Sequence, residues 1–78
     1  MPTIEVVGGS RIEIHTGRET RVPHVHVCRE GRDVVVNLLT LRPYGEEPFR
    51  LSAKIWDYLR ENQEALLERW DEYHGGER

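Results

Sequence analysis

Pro23-His24-Val25-His26-Val27-Cys28, then Glu30-Gly31-Arg32, then Asp33-Val34-Val35-Val36-Asn37-Leu38-Leu39: the reading of this stretch decides the fold. Two runs rich in β-branched residues flank a connection with glycine, which supplies the positive φ that tight hairpin turns require. Asp33 to Leu39 is the most apolar strand and is expected at the centre of a sheet. Working outward, Thr3-Ile4-Glu5-Val6-Val7 and Arg11-Ile12-Glu13-Ile14-His15 surround Gly8-Gly9-Ser10, a second hairpin signal. Residues 16–22 are polar and without period, a loop. The pattern predicts an antiparallel β-meander of three or four strands over residues 1–40.

Beyond it, residues 41–50 contain Pro43, Gly45 and Pro48, which interrupt regular structure and make a connection. A helical part is expected over 51–74, with Ser52 as N-cap. Ile55, Trp56 and Leu59 share one face, and Leu66, Leu67, Trp70 and Tyr73 continue it at steps of three and four. Asn62 lies between the two groups, where the reading favours a break into two helices. Gly75-Gly76 ends the helix and leaves 75–78 as a tail. The fold class is α+β: a small antiparallel meander packed by one or two C-terminal helices, in one domain spanning 1–78.

Composition bounds the function. The 78 residues carry a formal charge of −3, which argues against a dedicated nucleic-acid binder. Residues 51–78 hold four basic and seven acidic side chains, which accounts for the whole imbalance. The first fifty hold seven of each sign, and all seven basic ones are Arg, the better residue for bidentate contacts to carboxylate or phosphate. Cys28 is the only cysteine, which excludes an internal disulfide and suits a reducing compartment. No secretory signal precedes the first strand and no apolar run is long enough to cross a bilayer, so a cytoplasmic protein without membrane association is expected.

Chemistry concentrates in His24 and His26. Alternation along a strand puts His24, His26 and Cys28 on one face, and Glu13 with His15 on one face of the neighbouring run. With matching faces, His15, His24 and His26 converge and Cys28 lies at their edge. Two imidazoles at i and i+2 suit a divalent transition metal such as zinc, the third ligand coming from His15, Glu13 or Cys28. The same pair suits general acid–base work, with Arg29 or Arg21 steadying a phosphate. The plainer alternative is structural: each ring hydrogen-bonds across the sheet and Pro23 sets the approach of the chain. His74 near the helix end is explained by the helix dipole alone.

The opening Met-Pro-Thr-Ile, the Pro-His-x-His-Val strand and the terminal Asn62…Leu66-Leu67…Trp70…Tyr73 pattern together resemble a family of small bacterial proteins known as domain of unknown function 4160. Its members carry an acidic residue and a His ahead of a Pro-Pro-His-x-His-Val run. Here Glu19 stands for the acid, but Thr20 takes the place of that His and Val22 that of the first Pro, so only His24 and His26 carry over. The resemblance implies one half of a two-gene module in the style of toxin–antitoxin pairs, with a small protein partner encoded nearby. Three expectations follow: a partner-binding protein, with self-association as a further form of binding; a phosphodiester hydrolase or ribonuclease acting on RNA through the His pair; or a structural domain that the pair stabilises.

Overall fold

The structure is a computed structural model that describes residues 3–14, 22–45 and 47–73. Five strands form one antiparallel sheet in sequence order: β1 Thr3–Val7, β2 Ser10–Glu13, β3 His24–Arg29, β4 Arg32–Asn37 and β5 Arg42–Pro43. Two helices follow, α1 Ala53–Glu61 and α2 Gln63–Tyr73. Among the described residues no helix is long and apolar enough to cross a membrane.

Both expected turns are present. Gly8 and Gly9 have φ of 57° and 82°, the double positive φ of a turn that follows the twist of its strands. Glu30 and Gly31 close β3 onto β4 with φ of 52° and 78°, so Glu30 takes up a conformation that costs a side-chain-bearing residue energy. This turn fixes the register: Arg29 faces Arg32, Cys28 faces Asp33, and His26 faces Val35. In consequence Val25, Val27, Val34 and Val36 fall on one face, joined by Ile12 opposite Val27. All five are fully buried. Ile55, Leu59, Leu66 and Trp70 from the helices belong to the same core, as does Leu51.

Two expectations are corrected in detail. β3, not the stretch from Asp33, is the central strand, and the sheet has five strands rather than three or four. The fifth arises because β4 stops at Asn37 instead of running to Leu39. Asn37 Oδ1 accepts the amide hydrogens of Leu39 at 2.7 Å and Thr40 at 3.2 Å, turning the chain out of the ladder. Leu41 then adopts a φ of 57° and its N–H returns to the Asn37 carbonyl at 2.7 Å. The chain comes back alongside β4, with the Tyr44 N–H bonded to the Val35 carbonyl at 2.7 Å. Pro43 is tolerated there because an edge strand leaves one side of its backbone without a ladder partner.

The helical break falls at Asn62. Its backbone N–H and its side-chain amide both donate to the Tyr58 carbonyl, at 3.0 and 2.8 Å, and end α1. Ser52 caps the start of α1, its hydroxyl accepting the Ile55 N–H at 3.4 Å. Gln63, the first residue of α2, donates from Nε2 to the Leu38 carbonyl at 2.6 Å, and the Leu38 N–H is bonded to the Pro23 carbonyl at 2.9 Å. The buried Leu38 thus ties the start of α2 to the approach of β3. The side chain of Tyr73, the Gly75-Gly76 stop, the tail and the loop over 16–21 lie outside the described residues.

Replacing Asn37 by Ala removes the oxygen that holds two loop amides and should lower stability in urea unfolding by about 1–2 kcal/mol. Asn37→Asp keeps an acceptor at the same place and should lose less than half of that.

Candidate functional site

On the face opposite the valines, the register lays out three rows. Arg11, Cys28 and Asp33 are neighbours across β2, β3 and β4; Glu13, His26 and Val35 form the next row; His24 faces Asn37 in the third. Within this array Arg11 Nε donates to Glu13 Oε2 at 3.0 Å, the guanidinium mostly exposed and the carboxylate nearly buried. His26 Nδ1 lies 2.6 Å from Asp33 Oδ2, a diagonal contact between adjacent rows. Because the carboxylate accepts, Nδ1 carries the hydrogen, and in the neutral ring the basic lone pair sits on Nε2.

The two histidines have different surroundings. His24 Nδ1 donates to the Val22 carbonyl at 2.9 Å, its ring centroid is 4.9 Å from Trp70, and the residue is buried. Val22, two residues earlier, and α2 together determine where that ring stands. His26 keeps 15% of its side chain exposed beside Asp33, which is about half exposed. The rings meet edge to face with centroids 5.1 Å apart. His24 is therefore held as a packed, hydrogen-bonded core-edge residue, whereas His26 forms the imidazole–carboxylate pair that could move a proton at the surface.

Electrostatics mark Cys28 as unreactive. Burial, followed by the negative charges of Glu13 and Asp33, pushes its thiol up to about 11, and the Arg11 charge only partly opposes this. The Arg11 guanidinium is held even more firmly protonated by its bond to Glu13.

The structure brings His24 and His26 onto one face with Cys28 and Glu13 beside them, as the alternation argument expects. His15, the third candidate metal ligand, and Arg21, a candidate anion-binding residue, lie outside the described residues. Among the described residues no group of three His, Cys, Asp or Glu side chains is arranged to hold a metal ion. The two imidazoles fit a transition metal by donor type, and each has its Nδ1 beside an acceptor. Arg29 is exposed at the far end of β3 from His24.

Two residues of the site escape a reading of the motif alone. Asp33 was legible in principle, since a two-residue turn at 30–31 places it on the His26 face one row away. Trp70 was not, because nothing local relates a helix residue to a strand forty-six positions earlier.

Two outcomes follow. At pH 8 the Cys28 thiol should react with a maleimide or disulfide reagent roughly a hundredfold more slowly than an ordinary exposed cysteine, and its rate should climb only as pH approaches 11. His24→Ala should cost about 2–3 kcal/mol in chemical denaturation, through lost packing on Trp70, while His26→Ala should cost about 1 kcal/mol or less.

No curated protein matches this chain, and no solved structure matches it. A family model described as a domain of unknown function (DUF4160) matches residues 9–71, which takes in all of β2 to β5, α1 and most of α2. The β3 motif with its paired histidines lies inside that span, and the chain belongs to this family.

Proposed function

We propose that this chain is a partner-binding protein, one component of a two-gene module of the toxin–antitoxin type, which docks a small protein encoded nearby along the outer edge of β1. The observation that carries this reading is the unequal protection of the two sheet edges. β5 is two residues long and contains Pro43, both of which blunt an edge. β1 runs for five residues without proline, has β2 as its one strand neighbour among the described residues, and leaves Val6 60% exposed. Such an edge accepts an added strand through its backbone amides and carbonyls, while alternate side chains supply specificity. The two-gene setting rests on the family resemblance.

A second reading, a phosphodiester hydrolase or ribonuclease, is favoured by the 2.6 Å contact between His26 and Asp33. His26 Nε2 would take the proton from an attacking hydroxyl while Asp33 stabilises the imidazolium. The burial of His24 argues for a supporting place in that reaction. Under induced expression, growth arrest that is lost in His26→Ala at equal soluble protein would favour this reading; arrest by both proteins would favour toxicity through binding.

Co-expression with the neighbouring small gene should yield a stable complex on affinity purification followed by size exclusion. Val6→Lys, which places a charge on the exposed edge, should weaken that complex at least roughly tenfold and change stability by no more than about 0.5 kcal/mol. Recovery of the chain alone, or only as a pair of identical chains, would exclude the heteromeric reading.

A further inference from the structure

Two depressions flank the β3–β4 turn. One of about 160 Å³ is lined by Arg29, Glu30, Arg32 and Phe49. The other, of about 290 Å³, is lined by Arg11, Cys28, Gly31, Arg32 and Asp33. Arg32 borders both, so the two meet across the turn.

Arg29 and Arg32 are direct cross-strand partners, and their side chains share a face. Like charges set opposite one another across a ladder destabilise it. Neither guanidinium forms a hydrogen bond or ion pair with the described residues: Glu13 and Asp33 are engaged elsewhere, and Glu30, which lines the same depression, is bonded to neither. Glu13 is bonded to Arg11, and Asp33 to His26. Two forks of N–H donors are thus set side by side with no carboxylate bonded to either, a combination that an anion would relieve by bridging them. Phe49 adds a partly buried aromatic ring to the same depression.

We propose that the β3–β4 turn is a binding site for single-stranded RNA, in which a backbone phosphate bridges Arg29 and Arg32 and a base stacks on Phe49. Paired guanidinium forks suit the phosphate, and an aromatic face beside them suits a base of any identity. An acidic peptide would use the two Arg side chains but has no planar base to set on the ring. The local arrangement outweighs the net charge of −3, because the excess acid belongs to residues 51–78. The site is separate from the β1 edge, so its failure and the failure of the partner-binding reading are distinguishable.

The test is fluorescence anisotropy of the full chain with a labelled oligouridine at low salt, and with a labelled oligoglutamate in parallel. Arg29→Gln/Arg32→Gln should weaken RNA binding at least roughly tenfold and lower the slope of log affinity against log salt by about 0.7, the contribution of one phosphate. Phe49→Leu should weaken RNA binding roughly fivefold or more and leave oligoglutamate binding unchanged. Thermal melting of the double Gln variant should match or exceed the wild type, since a repulsive pair is removed; a clearly lower melting temperature would count against the pair being held for a ligand. No RNA binding by the wild type, equal binding by the double variant, or tighter binding of oligoglutamate that ignores Phe49→Leu would each overturn the proposal.

Discussion

The register of β3 against β4, closed by Glu30 and Gly31, is the constraint on which the rest of the structure depends. A side-chain period of two means that a slip of one residue in β3 would send Val25 and Val27 to the opposite face and bring His26 into the core, while the same slip in β4 would expose Val34 and Val36 and turn Asp33 inward. The burial of four valines holds the register on one side. The contact between His26 and Asp33 agrees with it on the other. One turn therefore settles both where the hydrophobic core lies and which polar groups meet.

The helices complete the sheet through a small number of contacts at its open end. Asn62 stops α1 and starts α2, and Gln63 fastens the junction to the Leu38 carbonyl. That placement brings Trp70 into the core and against the His24 ring. The attachments of His24 thus include Val22 and Trp70, where His26 has an acid within reach of solvent. Identical residue types two positions apart on one strand end up with different chemistry because one opens the strand beside a helix and the other lies in its middle.

Polar groups are distributed with a comparable division. Arg11 and Glu13, and His26 and Asp33, satisfy one another on the face away from the valines. Cys28, between the two acids, is kept as a thiol by burial and by their charge. Among the described residues no carboxylate is bonded to the Arg29 and Arg32 pair at the turn, which sets it apart from the mutually satisfied groups next to it.

By itself the sequence determined the local elements: glycines at positive φ for two turns, alternation for the strand faces, Ser52 and Asn62 for the helix boundaries, and the stripe through Leu59, Leu66 and Trp70. These are short-range effects of backbone sterics and periodicity, and the shared face of His24 and His26 belongs with them. Tertiary structure decided the rest. The strand count went to five because, after the local turn at Asn37, Arg42 and Pro43 paired back onto β4, a return that strand propensity does not register. Trp70 against His24 depended on the angle at which the helices return to the sheet, and contacts between residues so distant in sequence are set by packing of the whole core rather than by any local preference.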